Sequence, residues 1–296
     1  MTRLGSLLLL FLTTQLAIAQ SPQTYINSRG EKHLTGPFDL EVLRTDSVYK
    51  QWFENSTTLF ALKGDKTKWK KQLKDTQVDI YLGTWCGDSK RWVPQFVKLW
   101  NDLGLNENQL NFIALYDGVE QYKQGPNQEE KGLRIHRVPT FIFKEDNKEY
   151  ARVVEYPRND LELDVAQIAM RYASEPNYRA ATYLLNLFEK ESMETVMKDI
   201  RIHLNKVNQL VSKDRELNTL GFVFQRSDRM QEALLTFQFN TLIHPHSPRA
   251  FNSYAEALLA NDNKPQAISA FKRVIALEPE HKNANEQLKV LALEEK

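Results

Sequence analysis

The sequence predicts two folded units in succession. An α/β domain spans residues 35–174, and an all-α domain of helical repeats spans 214–296, with a helical linker or cap at 175–213 between them. Three observations carry this reading. A β-rich apolar run, Val78 to Leu82, passes through Cys86 into a helix whose apolar residues Trp92, Phe96, Trp100 and Leu103 recur at spacings of 4, 4 and 3. Two more strand-like runs, 140–144 and 150–155, flank the turn pair Asp146-Asn147. Toward the C-terminus, a set of apolar and small residues returns with a period of 34.

Taken in order, residues 1–19 have the pattern of a cleaved export signal. Arg3 supplies positive charge, Leu4 to Leu12 an apolar core, and Ala17-Ile18-Ala19 a small-residue cleavage site, so the exported form is expected to begin at Gln20. That apolar run falls short of the ~20 residues a membrane-crossing helix needs, and no later run approaches it. The mature protein is therefore expected in the periplasm or outside the cell, with no integral membrane segment. No cysteine stands directly after the cleavage site, which argues against a lipid anchor.

Composition narrows the function classes. The 42% hydrophobic and 26% charged residues are those of a globular protein. Losing Arg3 with the leader leaves 38 basic against 38 acidic residues, a neutral balance that argues against nucleic acid as partner. One cysteine excludes an internal disulfide framework and a multi-thiolate zinc site. His244 and His246 flank Pro245, but no third ligand lies nearby, so no metal and no cofactor is expected.

Residues 20–34 form an N-terminal segment; 20–36 are polar, with Ser21-Pro22 and Gly36-Pro37 as turn signals, and are expected to pack loosely. Leu43 to Phe53 and Trp69 to Leu73 read as helices. All five tryptophans lie between 52 and 100, which places one dense core there. Residues 111–116 form the next predicted strand. The charged stretch 117–132, with Gly125-Pro126, reads as a surface loop or short helix. The helix Leu161 to Tyr172 closes the domain.

The candidate site centres on Cys86. A thiol between a strand and the first turn of a helix faces backbone N–H groups that lack intrahelical partners, and the positive end of the helix dipole favours the thiolate. Such settings lower a cysteine pKa from about 8.5 to roughly 3.5–7.5. Lys90 adds to this effect and Asp88 opposes it, while Arg91 reads better as part of a solvated first helical turn.

Trp85-Cys86-Gly87-Asp88-Ser89-Lys90 resembles the W-C-x-x-C-K signature of the thioredoxin superfamily. Pro94, eight residues after the cysteine, matches the family's helix proline. Arg137-Val138-Pro139-Thr140 resembles its cis-proline loop. The resemblance covers roughly residues 35–174 and implies an α/β thioredoxin-like fold. It also implies that Trp85, Gly87, Asp88, Val138, Pro139 and Thr140 position an extended substrate around the catalytic pair Cys86 and Ser89. Two departures bear on the activity. Ser89 replaces the second cysteine and cannot close a disulfide. Ile80 stands where the family places a buried acid, and Asp79 points to the other face of the strand.

The C-terminal repeat is regular. Counted from Asp214, the residues Leu217, Leu220, Gly221, Phe224, Ala233, Phe237 and Pro245 fall at the same positions as Phe251, Tyr254, Ala255, Leu258, Ala267, Phe271 and Pro279 counted from Pro248. This pattern resembles two tetratricopeptide repeats, implying an all-α tetratricopeptide-like domain that binds proteins. Tyr183 to Phe188 with Val196 to Leu204, and Ala284 to Leu293, supply capping helices.

The expectation is therefore an exported protein that performs thiol–disulfide chemistry through the single Cys86 on a protein client or small-thiol partner, with the repeats holding a client. The competing expectation is a redox-inert module in which both domains only bind.

Overall fold

The computed structural model describes residues 22–64, 67–118 and 121–294; the expected signal at 1–19 lies outside them. Six strands form one mixed sheet: β1 (Gln23–Ile26), β2 (Lys32–Phe38), β3 (Gln77–Leu82), β4 (Leu110–Ala114), β5 (Thr140–Glu145) and β6 (Lys148–Val154), in the order β1-β2-β4-β3-β5-β6. Central β3 runs parallel to β4 and antiparallel to β5. Its alternation sets the two faces. Val78, Ile80 and Leu82 enter the larger core, while Tyr81 enters a smaller one on the opposite face.

Helices α1 (Glu41–Thr45), α2 (Lys50–Thr57), α3 (Thr67–Leu73), α4 (Gly87–Asp102) and α5 (Leu161–Ala169) accompany the sheet. The larger core takes Phe96 and Trp100 from α4, Phe53 from α2, and Phe141 and Phe143 from β5. Phe96 packs with Phe141 at 4.6 Å between centroids and with Trp100 at 5.5 Å. The spacing-based reading of α4 is thus realised with Pro94 inside the helix. Asp79, on the face away from Ile80, pairs with Lys144 and accepts a hydrogen bond from the Asn111 amide at 2.9 Å.

Two local expectations need correction. Residues 20–36 are not loosely packed throughout: β1 and most of β2 lie there, and Leu34 is fully buried. Gly36 takes a left-handed φ of 73°, and there β2 passes from pairing with β1 to pairing with β4. The stretch read as one helix from Leu43 to Phe53 is two, α1 and α2. Asp46 adopts extended backbone between them, and its carboxylate accepts the N–H of Val48 at 2.9 Å.

The second unit is all helical: α6 (Arg179–Lys190), α7 (Met193–Lys198), α8 (Ile200–Leu210), α9 (Asp214–Arg226), α10 (Met230–Ile243), α11 (Pro248–Ala260), α12 (Lys264–Leu277) and α13 (Lys282–Glu294). Both bounds of α11 lie 34 residues after those of α9, and both bounds of α12 lie 34 after those of α10. Small residues hold the pairs close. A Cβ on Gly221 would sit 2.5 Å from the ring of Phe237, and Ala233, Ala255 and Ala267 are fully buried. Helices α6 to α10 share one apolar cluster, and α11 to α13 share another.

The units meet across a polar seam. Arg134 donates to the Asn186 amide oxygen at 2.7 Å, Arg137 donates to the Arg215 carbonyl at 2.9 Å, and the Gln124 amide donates to the Arg226 carbonyl. Asn177 donates to the Tyr156 carbonyl at 2.7 Å. No helix among the described residues is long and apolar enough to cross a membrane.

Candidate functional site

Cys86 is the N-cap residue of α4, in extended backbone conformation, with Gly83 to Trp85 forming the turn out of β3. Gly83 leaves room for the Trp85 indole, whose ring would lie 2.5 Å from any Cβ there. The indole N–H donates to the Leu115 carbonyl at 2.8 Å and fixes that side chain over the end of β4. Half-buried, Cys86 packs with Trp85 against Tyr81, Ile113, Ile135 and Val138.

The sulfur lies at the start of the helix, where the neighbouring Asp88 and Ser89 N–H groups and the Ser89 hydroxyl favour the thiolate, although the Cys86 side chain makes no capping hydrogen bond to the helix. Ser89 is fully buried, and its oxygen accepts the Gly83 N–H at 3.2 Å. Burial nevertheless dominates and pushes the Cys86 thiol up from its ordinary value, with Asp88 adding to the rise. This corrects the expectation of an acidic cysteine: desolvation of the anion exceeds what the helix start supplies. The neutral thiol donates to the Val138 carbonyl at 3.2 Å.

Val138 precedes a cis peptide bond to Pro139, and both residues are buried. Thr140 begins β5 as a buried residue whose hydroxyl donates to the Arg137 carbonyl at 2.8 Å. Gly87 is exposed and Asp88 half-exposed on the open side of the helix start. Trp85, Cys86, Ser89 and Val138 therefore gather around the sulfur, Gly87 and Asp88 face outward, and Thr140 is turned into the protein.

Four further residues complete the surroundings: Tyr122, Lys123, Arg137 and Glu155. Arg137 pairs with Glu155 at 3.1 Å and lies 4.5 Å over the ring of Tyr178 from the helical unit. Burial pushes the Glu155 carboxyl up, and Arg137 opposes that shift. Lys123, only 4% exposed, donates to the Tyr122 hydroxyl, and burial drives its pKa well below the usual lysine value. Tyr122 lies beside Trp85, ring centroids 6.3 Å apart. Arg137 was legible as part of the proline loop. Lys123 carried no signal, because a charged stretch with a Gly-Pro turn reads as solvated surface.

No group of three or more His, Cys, Asp or Glu side chains able to hold a metal occurs among the described residues. Neither a scan against protein-family models nor a search of curated proteins finds a match to this chain.

Proposed function

We propose that the α/β unit is a thioredoxin-like domain, that the helical unit is a tetratricopeptide-like array, and that the protein forms mixed disulfides through Cys86. The observation that carries this reading is the setting of one sulfur. It sits at the N-cap position of α4, beside Asp88 and the buried Ser89, and lies 3.2 Å from the carbonyl of the residue before cis-Pro139.

The chemistry follows from a single thiol. Deprotonated Cys86 attacks one sulfur of a partner disulfide, a new bond forms to Cys86, and the other partner sulfur leaves as a thiolate. Ser89 cannot then expel the trapped partner, so release needs a thiol from a second molecule, either a small thiol or a protein thiol. What Ser89 retains is a buried hydroxyl near the sulfur, which favours the thiolate as attacking and as leaving group. The helical array would hold the protein that carries the disulfide.

The raised thiol pKa favours a second reading, in which Cys86 is packed rather than used and both units only bind partners. Both readings are tested by offering the full chain an oxidised peptide disulfide and weighing it intact between pH 7 and pH 10. The redox reading expects a single adduct on Cys86, absent from Cys86→Ser, forming faster as pH rises toward the elevated thiol pKa. No adduct at any pH would sink it and leave the binding-only reading.

A further inference from the structure

The seam between the two units holds a cavity of about 490 Å³, within the size range of small-molecule sites. Its walls carry Lys123, Lys131 and Arg134 from the α/β side and Arg226 and Arg229 from the helical side, with half-buried Val223 as apolar surface over the buried Leu185 and Phe224. Only two acids, Glu130 and Asp228, line it. Glu130 is occupied in part by the Gly125 N–H at 2.8 Å, and Arg229 is balanced by Glu232 at 3.1 Å. Of the other four basic residues, Arg134 has only a long pairing and Lys123, Lys131 and Arg226 have no carboxylate at ion-pair distance among the described residues. Lys123 holds a tyrosine hydroxyl, Lys131 the Gln128 amide, and Arg134 the Asn186 amide with Glu149 out at 3.9 Å. The Arg226 guanidinium has no partner among the described residues.

Size alone does not single this cavity out. A larger one, about 590 Å³, is lined by Asp39, Glu41, Asp79 and Glu107. There Arg44 answers Glu41 and Glu107, and Lys144 answers Asp79, so most of the charge is already matched. In the seam it is not. A buried charge is costly unless something pairs with it, so burial holds the Lys123 amine toward its neutral form until an anion arrives. Around it the basic residues Lys131, Arg134, Arg226 and Arg229 outnumber the lining acids Glu130 and Asp228.

We propose that the seam cavity binds a small organic dianion with a compact apolar body, its charged head paired by Arg226 and Lys123. Guanidinium and ammonium groups both suit a phosphate or a pair of carboxylates. The apolar body would lie against Val223. The ligand would touch both units at once. This proposal stands apart from the redox reading, because it uses neither Cys86 nor Ser89.

Calorimetric titration of the full chain tests it, with phenyl phosphate and phthalate as the two dianion probes and benzyl alcohol as the neutral one. At least one dianion should bind saturably, more weakly as salt rises, and benzyl alcohol should not; which dianion wins identifies the head group. Arg226→Gln, a change at a partly exposed position, should weaken that binding roughly tenfold, as expected for losing a charged hydrogen bond. Lys123→Met, which keeps the apolar stem, should weaken it at least as much. Equal affinity for neutral and charged probes, no binding by either dianion, or unchanged affinity in both variants would each overturn the proposal.

Discussion

Burial raises the pKa of Cys86 and also decides the state of His136, two residues before Val138. His136 is 2% exposed, and burial lowers its pKa from 6.5 to about 3, with Arg137, Lys123 and Arg152 all disfavouring the cation. Its Nδ1 lies 3.4 Å from the Arg134 carbonyl, which can only accept, so the proton sits on Nδ1 and Nε2 is left without a partner. Because the folded pKa lies below the unfolded one, stability is complete above pH 6.5 and is lost as pH falls from there toward 3. The unfolded chain takes up a proton in that window and the folded chain does not. Urea unfolding should therefore show the wild type losing a few kcal/mol more than His136→Gln between pH 7 and pH 4. Equal losses in the two proteins would mean that His136 is charged where it lies.

At the scale of elements, the repeat makes the sharpest expectation. Ala267 is fully buried in α12, in the cluster that also holds Ala255 and Phe271. Ala267→Leu should cost ~1–3 kcal/mol by overpacking. It should lower the melting of the helical unit while the alkylation rate of Cys86 stays unchanged; a parallel change in that rate would contradict two separate cores. These helices were legible because their period is long, regular and carried by bulky and small residues together. The turn from β3 through Cys86 into α4 was legible for a related reason: a strand pattern switches to a helix pattern at one residue. Strands β1 and β2 were not. Their alternation is short and interrupted by Gly36-Pro37; β2 is ordered by pairing with β4, some 75 residues away in sequence, and β1 only by pairing with β2. Residues 117–132 hid Lys123 for the same reason, since burial there comes from packing that no local pattern announces.

At the scale of the whole molecule, apolar cores stay within the units and the bonds between them are polar. Interfaces of this kind leave units able to unfold separately, so calorimetry should resolve two transitions. Arg137 ties the two together. Its pairing with Glu155 is largely shielded, the two side chains being 14% and 12% exposed, and it also reaches the Arg215 carbonyl and the Tyr178 ring. Arg137→Ala removes one partner of a shielded ion pair and should lower the stability of the α/β unit by roughly 3 kcal/mol. The gap between the two transitions should change with it. A single unaltered transition would mean that the pairing contributes nothing across the seam.

The position of Arg134 and Arg137 has a consequence for anyone who divides this chain. Both lie in the few residues leading into Val138, whose carbonyl faces the Cys86 sulfur, and both hold on to the helical unit. A fragment ending at residue 174 would keep every atom that touches the sulfur yet lose Tyr178, Asn186 and Arg215, the backing against which that loop is set. Its thiol would face more water, and the burial that now raises its pKa would diminish. Reactivity measured on such a fragment would belong to the fragment, and the less acidic thiol of the intact protein would go unseen.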